Sequence, residues 1–440
     1  MFHNFQTVGL IPHIRRILPN ATLVWQNHLA TGDPTPVVWN FLVPLIDQAQ
    51  VAVFHTLEYF PRENPNLTAL HLPVLEHLPA LYPFSPKNCE LANLGISVVK
   101  RVLAQYQRDY TLVSKFNLKP KVEKAYLKIT GSRITDLQSE SMLDSLTKAS
   151  IRAAFIKEGR RPELERFMTQ AAARPEGLSH LVRELHGIDP KRPLFAQISR
   201  FDSLKDPLGT IKAFVQAYLA LARENLPLEQ LPQFVLGGTL EDDDLRGFEE
   251  LVRIFIYLDN LQETVFHETR REKGLKLEEL SRQLRRDVFV LLLPSHDPMA
   301  DSLEINALQR TARAVIQKSL REGFGLAVTE AMWKGVPVIG GNTGGIRLQI
   351  THGTNGFLAG EWVGDELQDS LEDTAQFIIT YTKHPEVAAR MGEMAKRKVA
   401  KDFLLPENLN LFLQKLQILL AKNAPASAPA PVKKRKRPAV

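Results

Sequence analysis

A chain of 440 residues is too long for one hydrophobic core and suits about two domains. Five of its six net positive charges sit in the closing run Lys433–Arg437, so the body carries a net charge of only +1 and a nucleic-acid role finds no support outside the tail. The single cysteine, Cys89, excludes an internal disulfide or a cysteine metal cluster. No long uncharged apolar run marks a membrane span, and the start MFHNFQTVGL lacks the features of a secretory leader, so a cytoplasmic protein is expected.

In chain order, LVW (23–25) and VAVF (51–54) are short apolar runs that end in polar residues, Gln26–Asn27–His28 and His55, and a helical pattern lies between them. Both are expected to be buried parallel strands of a βαβ unit. HLPALYPFSPKN (77–88), with Pro79, Pro83 and Pro86, cannot form regular structure and is expected to link two domains. Residues 92–187 are charged and helical in pattern and are expected to form an inserted helical segment.

A second βαβ series opens at Pro193. Strands are expected in PLFAQISRFD, running into Ser199, Arg200, Phe201 and Asp202, and in PQFVLGG, DVFVLLLPS, ARAVIQKS and KGVPVIGGNTGG, separated by helix-like stretches such as LGTIKAFVQAYLALARE. The charged stretch 253–286 is expected to be an insertion at the sheet's periphery, and two terminal helices are expected between Pro385 and Lys422. The tail AKNAPASAPAPVKKRKRPAV cannot bury enough apolar surface to order itself. The resulting domain plan is 1–91, an incomplete N-terminal domain; 92–187, insertion and linker; 188–400, a C-terminal nucleotide-binding domain; 401–422, a terminal helix; and 423–440, a tail.

Doubly wound parallel sheets bind ligands beyond the carboxyl ends of their strands. With Ala314–Gln317 as strand and Leu326–Trp333 as helix, REGFG becomes the connecting turn. Gly323 and Gly325 let the backbone approach a ligand, and the helix start behind them favours a phosphate. Glu330, one turn into the helix, is placed to accept hydrogen bonds from a ribose, and Glu322 in the turn is placed to reach a group beyond the phosphates. Arg200 and Lys205, after an adjacent strand, bring two positive charges suited to a diphosphate.

The motifs SRFDSLKDP, EINALQRTARAVIQKSLREGFGLAVTEAMWKGVPVIGGNTGGI and THGTNGFL resemble the C-terminal domain of the family 4 retaining glycosyltransferases. LVWQNH, VFHTLEYF and LYPFSPKNCEL are similar to successive pieces of the trehalose synthase and trehalose phosphorylase branch. The resemblance implies an α/β GT-B fold, with two Rossmann-like doubly wound domains facing a cleft. It implies that Arg200 and Lys205 bind the donor diphosphate, that Glu322 holds hydroxyls of the transferred sugar, and that Glu330 binds the nucleotide ribose. Gly323, Phe324 and Gly325 then form the donor-binding turn, Gly344 and Gly345 line the phosphate side from the next strand end, and His28 lies near the donor sugar. His55 is expected to be structural. No metal and no cofactor are implied, because the nucleotide sugar is itself the substrate.

One departure from the pattern stands out. The family places a glycine-rich turn and further strands ahead of the strand that here begins near Met1, so the N-terminal domain is expected to be incomplete. The implied activity is transfer of glucose from a nucleoside-diphosphate glucose to glucose or a related acceptor, forming trehalose. The alternatives are a phosphate-dependent trehalose phosphorylase, or a non-catalytic GT-B fragment completed by a second chain or a homodimer. A nucleotide sugar and a small sugar acceptor are the expected partners, with no membrane and no nucleic acid.

Overall fold

A computed structural model describes residues 1–29, 31–61, 64–91, 118–135, 187–239, 245–269, 277–293, 298–363, 366–368 and 371–422. The chain divides into two compact units, Met1–Ala80 with Leu405–Val440, and Leu81–Leu404. Among the described residues no helix is long and apolar enough to cross a membrane.

The first unit contains a parallel sheet of β1 (Phe2–His3), β2 (Val24–Asn27), β3 (Val51–Phe54) and β4 (Val74–Glu76), in that spatial order. Strand β2 runs on through Asn27, so Gln26 and Asn27, expected beyond the strand, lie within it. Every residue of β2 and β3 is buried, as a parallel sheet covered on both faces requires. Side-chain alternation sorts the two faces. Trp25, Ala52 and Phe54 join Trp39, Val43 and Ile46 of the helix Pro36–Ile46, while Val24, Val51 and Val53 meet Phe412 and the partly buried Leu416, Leu419 and Leu420. The last helix, Leu405–Lys422, therefore covers the first sheet. Asn408 pins it there: its Oδ1 lies 2.8 Å from His77 Nε2 and its Nδ2 donates to the Leu78 carbonyl at 3.1 Å.

The second unit is built on β5 (Leu194–Ile198), β6 (Gln233–Gly238), β7 (Val288–Leu292), β8 (Ala314–Gln317), β9 (Val338–Gly341) and β10 (Gly356–Ala359). All pairs are parallel and the spatial order is β10-β9-β8-β5-β6-β7. The order reverses between β5 and β8, which is the topological switch point of a doubly wound sheet. The GTNGFL motif supplies β10, a strand the apolar pattern did not single out. At the amino end of the sheet, Arg192 and Asp287 form a bidentate ion pair, 2.7 Å on each arm, with both side chains nearly fully buried. Tyr218 donates its hydroxyl to the same carboxylate at 2.7 Å.

Two expectations are corrected here. Leu81–Leu91, placed with the N-terminal domain, belongs to the second unit: Asn306 Nδ2 donates to the Pro86 and Cys89 carbonyls, and the Arg310 guanidinium donates to the Cys89 carbonyl. The stretch 253–286 is not a peripheral insertion. Its helices Leu245–Asp259, Leu261–Thr269 and Leu277–Asp287 send Ile254, Phe255, Leu258, Leu261, Val265 and Leu284 into the main core. Within 92–187, the helix Leu118–Thr130 adds Val122 and Ala125 to that core. The rest of that expected insertion, and the tail 423–440, lie outside the described residues apart from 131–135 and Gly187.

Candidate functional site

The site is assembled by two loops at the carboxyl ends of β5 and β8, on either side of the switch point. After β5 the chain makes a short turn, Ser203–Lys205, whose start is capped by Asp202 Oδ1 accepting from the Leu204 amide at 2.9 Å. Gln197, at the end of the strand, donates Nε2 to the Lys205 carbonyl at 2.9 Å and ties the turn to the sheet. Asp206 follows in the left-handed region with φ of +47°, and its Oδ1 accepts from the Gly209 amide at 3.0 Å. It thereby caps the helix Pro207–Arg223, with Pro207 suited to the first helical position.

After β8 the chain runs through Lys318, Ser319 and Leu320 into the glutamate and glycine turn. The Leu320 amide donates to the Leu204 carbonyl at 2.9 Å, a direct backbone tie between the two loops. Lys205 and Glu322 meet across that tie: Lys205 Nζ donates to Glu322 Oε2 in an ion pair. Glu322 also accepts from Ser319 Oγ at 3.2 Å, and Ser319 Oγ accepts from Gln317 Nε2 at 3.0 Å. A cation and a carboxylate that the sequence suggested for one ligand are thus in contact.

The glycines hold the turn in shape. Gly325 has φ of +84° and begins the helix Leu326–Trp333. Gly344 also has positive φ, +44°, and at Gly345 a Cβ would come within 2.4 Å of the Phe324 backbone, so this crossing admits no side chain. The Gly345 amide donates to the Gly323 carbonyl at 3.2 Å, so the loop after β9 and the turn after β8 form one backbone surface. Gln349, which no sequence motif singled out, fastens that surface. Its Nε2 donates to the Phe324 and Gly345 carbonyls at 2.6 and 3.2 Å, and its Oε1 accepts from Thr329 Oγ1. Phe324, expected among the donor-binding residues, turns its ring into the core and meets Phe403 edge-on with centroids 5.7 Å apart. Only its backbone is available to a ligand.

Two other expected residues stand apart from the Lys205–Glu322 contact. Arg200 is 68% exposed and has Asp202 Oδ2 at 3.6 Å. Glu330 lies in the helix with its side chain only 9% exposed and Lys87 Nζ 3.7 Å from its Oε1. Below it Lys334 is buried and donates to Gln309 Oε1 at 2.7 Å and to Asn88 Oδ1 at 3.3 Å. Burial lowers the Lys334 pKa to about 7; the Glu330 carboxylate opposes the shift, and Arg310 and Lys87 add to it. Lys87 and Lys334 carried no signal in sequence spacing, because the segment 81–91 reaches Glu330 only through the fold.

His28 belongs to the first unit. There it forms a chain with two other rings: His3 Nδ1 lies 2.7 Å from His28 Nε2, and His28 Nδ1 lies 2.8 Å from His55 Nε2. Burial, then the neighbouring His3, lowers the His28 pKa. Burial takes His55 to about 3, with smaller contributions from His28 and His77, so His55 is neutral at ordinary pH.

Residues 181–398 match the family described as glycosyl transferases group 1, and residues 1–61 match the trehalose synthase N-terminal domain. A trehalose synthase of Pyrococcus horikoshii is 35% identical over 240 residues, which cover 54% of this chain and 47% of that protein. One of Thermococcus litoralis is 25% identical over 416 residues, 94% of this chain and 68% of that protein. The match to the Pyrococcus horikoshii protein thus spans about half of that relative's length. Among solved structures, an alpha,alpha-trehalose-phosphate synthase (UDP-forming) from Burkholderia xenovorans, in complex with glucose-6-phosphate, superposes with a TM-score of 0.51 at 12% identity, over 94% of this chain and 72% of that one. That likeness establishes the fold, a two-sheet parallel α/β architecture of GT-B type.

Proposed function

Residues 181–398 belong to the glycosyl transferases group 1 family, and on that premise we propose that the protein is a retaining glycosyltransferase that moves glucose from a nucleoside-diphosphate glucose to glucose, forming trehalose. The observation that carries the reading is the contact of Lys205 with Glu322 on two loops that flank the switch point. A cation for the diphosphate and a carboxylate for sugar hydroxyls must lie within reach of one ligand, and these two, being in contact, are close enough for a single donor to part and engage both.

In the proposed reaction the bond from the sugar's anomeric carbon to the diphosphate oxygen breaks. The acceptor hydroxyl oxygen bonds to that carbon on the same face, and its proton passes to the departing diphosphate. Negative charge grows on the leaving group, and Lys205 with Arg200 stabilises it, the kind of electrostatic contribution that usually dominates such catalysis. Glu322 accepts hydrogen bonds from the transferred sugar and Glu330 from the ribose, while the backbone of Gly323–Gly325, Gly344 and Gly345 lies against the phosphates.

The test is incubation of the purified chain with UDP-, ADP- or GDP-glucose plus glucose, alongside glucose-1-phosphate plus glucose, with the product's anomeric configuration read by NMR. The expected product is an α,α-linked disaccharide with release of nucleoside diphosphate. Product from glucose-1-phosphate alone would replace this reading by the phosphorylase. Absence of both turnover and nucleotide binding would overturn it.

A further inference from the structure

The donor-site reading leaves one conspicuous group unused. Lys318, the residue after β8, has a side chain with 0% exposure. A buried ammonium is costly unless it is paired and hydrogen-bonded, and Lys318 is paired with Asp206. Each member of this ion pair adjoins a residue of the candidate site. Asp206 directly follows Lys205, and Lys318 directly precedes Ser319, whose hydroxyl bonds Glu322 at 3.2 Å. Asp206 has little freedom of its own, since its backbone is in the left-handed region and its other carboxylate oxygen accepts from the Gly209 amide. The Leu320 amide to Leu204 carbonyl bond runs beside the pair and joins the same two loops.

We propose that Lys318 and Asp206 are positioning residues: their buried ion pair draws the loop after β5 against the loop after β8 and so sets Lys205 opposite Glu322 before the donor arrives. Neither residue touches the diphosphate. The proposal rests on the donor-site reading above, and it explains why a lysine is buried at the one place where the sheet order reverses. A pair that merely stabilised the fold would serve as well at any other loop junction. Here it fixes the spacing of the two charges that a nucleoside-diphosphate sugar must separate, and a fixed spacing is what lets a site lose little freedom on binding.

The experiment is a double-mutant cycle on binding of whichever of UDP, ADP and GDP binds the wild-type chain most tightly, with thermal stability recorded alongside. Lys318→Met is expected to weaken that nucleotide about tenfold in the wild-type background and less than about twofold in a Lys205→Ala background, because its effect acts through Lys205. Lys318→Arg is expected to recover most of the loss. An equal loss in both backgrounds, or a lowered Tm with unchanged affinity, would overturn the proposal. Should Lys318→Met fail to fold, Asp206→Asn goes through the same cycle: a loss confined to the Lys205 background supports the positioning role, and an equal loss in both backgrounds refutes it. A crystal structure of either variant supplies a check that needs no ligand: the Lys205–Glu322 contact should open, and its persistence would refute the positioning role. Failure of the donor-site reading looks different, since Lys205→Ala alone would then leave nucleotide affinity unchanged while the crystal structure still tested Lys318.

Discussion

Glu322→Gln should make the free protein a better binder of nucleoside diphosphate. Glu322 and Lys205 are 11% and 18% exposed and neutralise each other through a charge-assisted hydrogen bond, a class worth about 1.5–3 kcal/mol net. A diphosphate that recruits Lys205 must first take it from Glu322, while the Lys318–Asp206 pair, intact in this variant, still holds the Lys205 loop in place. Glutamine keeps the shape and a hydrogen bond to the Lys205 ammonium but removes the opposite charge, so the cost of release falls by up to about 1 kcal/mol and affinity for the nucleoside diphosphate should rise by up to about fivefold. Loss of the negative charge beside the phosphates acts in the same direction. The nucleoside-diphosphate glucose should behave differently, because its sugar hydroxyls lose the carboxylate they would bond. Calorimetry on both ligands, at one ionic strength, measures the contrast. Nucleoside diphosphate binding by the Gln variant that is unchanged or weaker than wild type would show that the Lys205–Glu322 contact is not what the donor displaces.

The turn between β8 and the helix Leu326–Trp333 was legible because its signals are local. An apolar strand, two glycines around a glutamate and an apolar helix follow one another within Ala314–Trp333, and β8, the turn and the helix appear there. Strands β5 to β9 of the second sheet were legible for the same reason, being short apolar runs with turns at each end, whereas β10 was not. The stretch 253–286 misled because its charge was weighed over its period: in Leu277–Asp287 the charged face is what composition reports, while Leu284 goes into the core. The apolar stripe of Leu405–Lys422 says that the helix packs, but not that the first sheet receives it. Lys318 was invisible for a deeper reason. Whether a lysine can be buried depends on the carboxylate it meets, and Asp206 lies 112 positions away in the chain. Charges whose partners are distant in sequence are the part of a site that only the fold discloses.

Glu330→Ala should weaken nucleoside diphosphate binding by about 1.5–3 kcal/mol, the worth of a charge-assisted hydrogen bond to the ribose, and unchanged calorimetric affinity would remove Glu330 from the donor site. Asp287→Ala strands the buried Arg192 guanidinium and should cost about 3–5 kcal/mol in denaturant unfolding; a loss under about 1 kcal/mol would mean that solvent reaches Arg192 in the variant. Acid should loosen the first unit through His55. Its pKa is 6.5 unperturbed and about 3 in the fold, so between those values the unfolded chain binds a proton that the folded chain refuses. The stability this contributes is complete above pH 6.5 and is lost as pH falls toward 3, at about 1.4 kcal/mol per pH unit from this one group. His28 and His77 are also lowered, mainly by burial, and add in the same direction. Urea unfolding of the first unit, followed at several pH values between 7 and 5, should therefore show a slope that His55→Asn reduces, whatever that substitution does to stability at pH 7. The comparison of slopes isolates the proton, because the packing lost with the ring is the same at every pH; equal slopes for the two chains would mean that His55 takes up its proton within the folded state.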